Sequence, residues 1–422
     1  MNKKQRGAIT LLVSSCILMA TLILSLGSYK HIFYQVKRAQ NEVEARKGYW
    51  AAEGGVECVF SKVSTSGSVP SGVISECAPL NLDSLSITST DHYLINAQKS
   101  SQLVKKEFML GGDGGDGAIK SASNLYFYTS VTFTSPDPVK LGTDGWECVA
   151  VRYKDKIGAF GSVVNQGVNH SVKPSSDFDN QGKDCSPDHK TVSSTGISNF
   201  KLDFLRDDKI SPFKDLFGIE PSDHNIVRDN GKFDILYGSG SGNDKRLSEC
   251  GTKLKNRINA GKAYIWVEGS CEITSAQYEG FSEAMNNSLN GTFIIIHDGS
   301  LSIMGPPSVG TAKDMKGVIF HFNHDYAVPT DGSNWDGTDA YSELYPHGGD
   351  PNNSPYPSEF LSTASFYQNG AFTLLGGQFF DTKNQSAIFY TSSNFKYNSD
   401  IVNELVSGLV QPRWVKGSWH DF

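Results

Sequence analysis

Residues Ala8 to Leu26 form an uninterrupted block of 19 residues with neither charge nor proline, and Lys3, Lys4 and Arg6 precede it. As a helix the block spans about 28 Å, close to the hydrocarbon thickness of a bilayer. A secretory signal has a shorter apolar core followed by a small-x-small cleavage site. The next segment, SYKHIFYQVKRAQNEVEARKGYW, offers no such site, so the block is expected to stay in the mature chain. The leading cations favour a cytoplasmic N-terminus, but Lys30, Lys37 and Arg38 on the other side leave the orientation signal mixed.

The helical pattern continues beyond the block. The first proline is Pro70, and Tyr29, Val36, Val43 and Trp50 recur every seven residues with Ile32, Phe33 and Ala39 beside them. That is one apolar stripe on an amphipathic helix, with Glu42, Glu44, Arg46 and Lys47 largely off it. The pattern predicts a single helix from about Ala8 to Lys62, apolar all round in its first half and one-sided in its second. Taken alone, these features also fit an ordinary membrane anchor with a helical stalk.

The string QRGAITLL followed by such a helix resembles the class III signal of type IV prepilins. RKGYWAAEGGVE resembles the stretch near the end of the N-terminal helix in PilX-type minor pilins. The resemblance covers about the first sixty residues. It implies cleavage by prepilin peptidase between Gly7 and Ala8, leaving the apolar block at the new N-terminus, with Ala8 methylated. In that family the fifth mature position is usually Glu, which is thought to meet the N-terminal amine of the preceding subunit. Here the position is Leu12. An unpaired carboxylate is costly in hydrocarbon, and the PilX-type and GspK-type proteins that lack it are placed at or near the filament tip. The resemblance thus implies an inner-membrane protein with a periplasmic ectodomain that reaches the cell surface within a pilus. Its implied partners are other minor pilins and the major pilin.

Net charge is −7, and removal of the leader cations Lys3, Lys4 and Arg6 takes it to −10. An acidic surface argues against nonspecific nucleic-acid binding, which needs basic patches. With 42 glycines and 11% aromatic residues, the remainder reads as turn-rich β structure. Cys16 lies within the apolar block and reads as a small hydrophobe. The six others, Cys58, Cys77, Cys148, Cys185, Cys250 and Cys271, form an even set that suits an oxidising compartment. Six cysteines allow 15 connectivities; sequential pairing is the expected one, with Cys58–Cys77 clipping the helix end to the next segment.

An internal repeat marks the C-terminal part. YIWVEGSCEITS begins at Tyr264 and IIIHDGSLSIMG at Ile294, so that Glu268-Gly269-Ser270 align with Asp298-Gly299-Ser300, and Cys271 and Ile273 with Leu301 and Ile303. QNGAFTLLGG reads as a third copy, with Gly370 in the turn and Phe372 and Leu374 in the apolar places. Units of strand, glycine turn and alternating strand cannot bury a face alone and stack on one another. The expected fold is therefore α+β. A leader (1–7) and a long pilin-like helix (8–62) precede a β-rich disulfide-containing domain (63–254). A right-handed β-helix or solenoid (255–422) comes last, with a sandwich of hairpins as the alternative. A pilin helix with a solenoid-like end is similar to the arrangement of large PilX-like proteins.

The remaining motifs point to binding rather than catalysis. The insert 325–357 interrupts the repeat and is expected to expose Trp335, Tyr341 and Tyr345 as a platform for a glycan or another surface. Asp177, Asp179 and Asp188 with Gly182 partly match a calcium loop, but Lys183 stands where a carbonyl ligand belongs. GGDGGDG (111–117) is one copy of a glycine-rich pattern and reads as a turn. His321 and His324, three apart on a strand, would face opposite sides and make a poor metal pair. No CxxC, GxSxG, HExxH or phosphate-loop pattern occurs. The expectation is a structural minor pilin without cofactor, metal or enzymatic activity. The alternatives are a tip adhesin and, less favoured, a membrane-tethered β-helix enzyme acting on polysaccharide.

Overall fold

The computed structural model describes residues 3–66, 69–70, 75–89, 92–110, 117–193, 200–242, 245–306, 314–346, 356–407, 409, 412–415, 417–418 and 420–421. Two compact units emerge, one of residues 1–109 with 414–422 and the other of residues 110–413.

In the first unit a single helix, α1, runs from Lys3 to Ser66, longer at both ends than its periodicity alone marks out. It is followed by the antiparallel strands β1 (Ser84–Ser89), β2 (Tyr93–Lys99) and β3 (Gln102–Leu110). The end of α1 buries Ala52, Val56, Val59 and Val63, spaced four, three and four residues apart so that they share one face. In AAEGG, Gly55 packs closely. A Cβ there would lie 2.4 Å from Leu82 Cδ1 and 3.3 Å from Ala97 Cβ, so a larger residue would push the Leu82 side chain aside and press on β2. Phe60 stacks on Trp414 at 3.9 Å between ring centroids and meets Phe108 edge-on at 6.2 Å. Lys106 Nζ pairs with Glu57 Oε1 at 3.1 Å and sits over the Trp414 ring. Cys58 is bonded to Cys77, which ties the helix to the short turn of helix at Ser75–Leu80.

The second unit begins with β4 (Ile119–Ser121), β5 (Asn124–Phe127) and β6 (Val131–Ser135), then the hairpin β7 (Asp137–Leu141) and β8 (Trp146–Val149). Next come β9 (Val151–Tyr153), β10 (Ile157–Ala159), β11 (Val163–Asn165), β12 (Val192–Ser193) and β13 (Phe204–Arg206). Helices α2 (Pro212–Phe217) and α3 (Asn225–Arg228) lead to β14 (Asp234–Tyr237), β15 (Arg246–Leu247) and α4 (Cys250–Asn259). The repeats are β16 (Tyr264–Glu268), β17 (Ser270–Ile273), α5 (Ser275–Asn287), β18 (Thr292–His297), β19 (Leu301–Met304) and β20 (Met315–Asn323). After α6 (Asp339–Leu344) and α7 (Ser358–Leu361) come β21 (Ala364–Asn369), β22 (Phe372–Thr382), β23 (Ser386–Phe389), β24 (Ser393–Tyr397) and α8 (Ser399–Ser407).

Two sheets organise these strands. One has the order β10-β5-β23-β21-β19-β17-β15, parallel throughout. The other runs β12-β11-β6-β24-β22-β20-β18-β16-β14 and is parallel except at β12. From β14 to β24 successive strands alternate between the sheets, and the inward apolar side chains of both form one core, from Leu125 and Phe133 through Phe293 and Ile303 to Phe389. Both sheets run across residue 254, where the sequence suggested a divide. β5 and β6 pair with β23 and β24, so early strands lie beside late ones. The disulfides Cys148–Cys185 and Cys250–Cys271 both lie in this unit.

The repeat alignment holds from the glycine turn onward, with Cys271 opposite Leu301 and Ile273 opposite Ile303. Ahead of the turn it slips by one, because Glu268 pairs with His297 rather than Asp298. The second turn holds one more residue, and Asp298 takes it up in the left-handed region at φ 50°. The third copy lies at a different corner. Gly269 and Gly299 lead from the longer sheet into the shorter, whereas Gly370 leads from β21 of the shorter sheet into β22 of the longer. A strand, a glycine turn and a strand look alike at either corner, which is why local pattern does not tell them apart.

Burial of Asp381 and of His321 has opposite consequences. Asp381 accepts from Phe213 N at 2.9 Å, yet burial pushes its carboxyl from 3.8 up to about 6. A raised carboxyl stabilises the fold fully below its ordinary value and progressively less as pH rises through 6. Asp381→Asn should therefore stabilise the protein by up to ~3 kcal/mol at pH 7.5 and by nothing at pH 3.5. Urea unfolding of the detergent-solubilised chain measures this, and coincident curves at pH 7.5 would refute it. Burial holds the fully enclosed His321 imidazole down at about 4, against its bond to Gly299 O. That contribution is complete above 6.5 and is lost as pH falls toward 4.

Candidate functional site

The feature that most needs a partner is the surface of α1. The helix is long and apolar enough to cross a membrane, and its most apolar window is nowhere buried within the chain. Leu11, Leu18, Met19, Ile23 and Leu24 are each more than 60% exposed. Its hydroxyls are satisfied locally: Ser14, Ser15 and Thr21 donate to the carbonyls of Leu11, Leu12 and Leu18, each at 2.9 Å. Such bonding removes the cost of a free hydroxyl in hydrocarbon. Leu12 is itself exposed, as is Cys16. Gly7 and Ala8 lie in the first turns of the helix.

Beyond the apolar block the stripe predicted from periodicity stays uncovered. Tyr29, Ile32, Phe33, Val36, Val43 and Trp50 are all about half exposed or more, Trp50 at 70%. Glu42–Arg46 and Glu44–Lys47 ion pairs, at 2.8 and 3.0 Å, help hold the helix in this stretch. Thus one helix carries three zones: apolar all round, then an uncovered stripe, then a face already packed on β2. The lower end is fastened by the Cys58–Cys77 bond and by the pair Lys62–Glu76 at 2.5 Å. The hydrogen bond from Lys62 is the chief reason the Glu76 carboxyl is held down at about 2.

The insert does not present its aromatics as expected. Trp335 is 1% and Tyr345 5% exposed, and both pack in a cluster with Tyr126, Met304, Tyr367 and Ile388; Tyr341 alone is half-buried. The correction has a physical cause, because the polar residues around them anchor the insert to the sheets. Arg246 donates to the carbonyls of Asn334 and Asp336 at 3.0 and 2.6 Å. Glu272 accepts from Ser302 Oγ and Ala340 N, and Asn334 Nδ2 donates to Ser300 Oγ at 2.8 Å. Residues 347–355 lie outside the described residues. No spacing in the loop separates a buried tryptophan from an exposed one. A cavity of about 470 Å³ remains beside the insert, lined by Thr330, Asp331, Tyr345, Ser358, Glu359 and Ser362 among others.

Other motifs are accounted for by structural bonds. In the loop that partly matches a calcium site, Asp179 Oδ1 accepts from Gln181 N, and Lys183 Nζ reaches the carbonyls of Gly142 and Thr143. Of the pattern 111–117, only Gly117 is among the described residues, at φ 113°. His321 is buried while the His324 side chain is one-third exposed, on the opposite side. Asp203, which no sequence motif marks, holds Asn165 Nδ2 at 2.8 Å and Thr191 N at 2.9 Å. Among the described residues no three His, Cys, Asp or Glu side chains converge as metal ligands would.

No protein family model, curated protein or solved structure matches the chain.

Proposed function

We propose that this chain is a minor pilin of the PilX type, which primes assembly of a type IV pilus and sits at or near its tip. The observation that carries the proposal is the single helix Lys3–Ser66, uncovered along its apolar block and stripe and packed only at its far end. Prepilin peptidase removes residues 1–7 at the cytoplasmic face, and Ala8 becomes the mature N-terminus. The helix then waits in the inner membrane with the β-rich part in the periplasm. Helices of other minor pilins and of the major pilin cover its stripe. Outside lipid that burial yields about 25 cal/mol per Å²; within lipid, close packing must take its place. Leu12 suits a subunit with no neighbour ahead of it, because no amine awaits a carboxylate there. The two parallel sheets with alternating strands support a β-helix for the second unit, a bulky end that blocks further stacking. No step in this role requires a cofactor or catalysis.

The cavity beside the insert favours a second reading, a tip adhesin for a glycan or another surface, and the two roles can coexist. Deletion of the gene is expected to abolish surface pili. Normal pili with poor attachment would leave only the adhesin, and normal pili with an altered polysaccharide profile would exclude both. When the protein is produced with prepilin peptidase, Gly7→Ala should prevent processing, and N-terminal sequencing of the parent should begin at Ala8. An identical mass for the two mature proteins would overturn the assigned junction.

A further inference from the structure

Between α2 and β14 the chain makes an excursion, residues 218–233, that carries α3 and one histidine, His224. This imidazole is 8% exposed, and its ring centroid lies 4.4 Å from His297 and 5.8 Å from His324, at the ends of β18 and β20. Phe322 and Trp266 close the packing at 5.7 and 6.4 Å. His224 Nδ1 donates to Pro221 O at 3.0 Å, so a further proton must enter at Nε2.

The carboxylates around it are already committed. Glu268 accepts from His297 Nδ1, Trp266 Nε1 and Arg228 Nη1 at 3.0–3.1 Å. Asp229 takes both remaining edges of Arg228, at 2.8 and 2.9 Å. Asp298 Oδ1 accepts the backbone N–H groups of His324 and Asp325, and its Oδ2 lies 3.4 Å from His297 Nε2. Asp325 lies 3.7 Å from His324 Nε2. His224 has no ion pair among them, and it touches two other imidazoles. A proton placed on it meets burial with no carboxylate paired to it directly, beside two other imidazoles at 4.4 and 5.8 Å. Burial, and after it His297, hold this imidazole below its ordinary range.

We propose that residues 218–233 form a proton-operated latch, docked while His224 is neutral and released when the imidazole is protonated against His297 and His324. Release uncovers Trp266, on which His224 and Phe233 pack, and frees Glu268 from Arg228, exposing an apolar surface with one buried acid. The latch is independent of the pilin reading and stands or falls without it.

Hydrogen exchange of the full-length protein in detergent micelles, at pH 7.5 and 5.0 with rates corrected for intrinsic chemistry, tests the proposal. Peptides from 218–233 should exchange at least tenfold faster at pH 5.0, while those from 292–323 keep their protection. His224→Phe, which keeps a ring in place but takes no proton, should remove the difference; His224→Gln serves the same purpose if phenylalanine is not accommodated. Equal acceleration in both regions would mean global loss of structure, which His321 can bring about, and would overturn the latch. So would an absent response in the parent, or an unchanged response in either folded variant.

Discussion

Gly317→Ala should prevent the second unit from reaching its native state. Gly317 sits in β20 at φ 141°, outside the range that L side chains readily adopt, and an added Cβ would lie 2.0 Å from Thr292 O. That oxygen belongs to the paired position of β18, and Gly376 of β22 occupies the next place in register, with its own Cβ site 2.0 Å from Gly317 O. A side chain here would wedge apart three strands whose spacing is set by backbone hydrogen bonds at roughly 4.8 Å. The backbone strain alone costs about 1–3 kcal/mol, and separating the strands adds more than a typical domain can spare from ~5–15 kcal/mol. The expected result is loss of the cooperative unfolding transition in the detergent-solubilised chain. Gly261→Ala is the control: φ is 79°, but nothing lies within 4 Å of the new Cβ. It should cost only about 1–2 kcal/mol from the left-handed backbone. A Gly317→Ala protein that unfolds like the control would show that the sheets can spread to accept a methyl group.

How far the residues announce this structure depends on how local each signal is. Helix α1 is legible because charge, proline and heptad spacing all act within a few turns. The register of Cys271 against Leu301 is legible because two neighbouring repeats keep nearly the same length. The extra residue at Asp298 is harder to see, since one left-handed position leaves the apolar alternation intact on either side. The pairing of β5 with β23 is not legible at all. Those strands are some 260 residues apart, and parallel pairing at that distance leaves no periodic mark. Exposure of the α1 stripe could be foreseen as amphipathicity, but not as lack of cover, because a stripe looks the same whether its partner is in the same chain or another.

The insert shows the same limit at a single residue, and Trp335→Ala turns it into a measurement. A tryptophan among Asp, Gly, Asn and Ser reads as a solvent-facing platform, yet its ring is 1% exposed. Truncating a buried tryptophan typically costs about 3–5 kcal/mol, the lost transfer energy plus the cavity left behind. The Asn334 and Asp336 carbonyls that hold Arg246 flank this residue, so the loss should spread into the anchoring bonds. Trp335→Ala is expected to lower the stability of the second unit by that amount in urea unfolding, and to make the insert a preferred site of limited proteolysis. Tyr341→Ala should cost under about 1 kcal/mol, because its half-buried ring chiefly stacks on Tyr345 at 5.2 Å. The pair separates folding from recognition. If, as proposed, this insert serves as an adhesin, Tyr341→Ala reduces attachment at nearly unchanged stability, whereas attachment lost only in Trp335→Ala reports a collapsed loop. A Trp335→Ala protein as stable as the parent would mean that the ring fills no essential space, and the insert would then be free to serve as the platform its composition suggests.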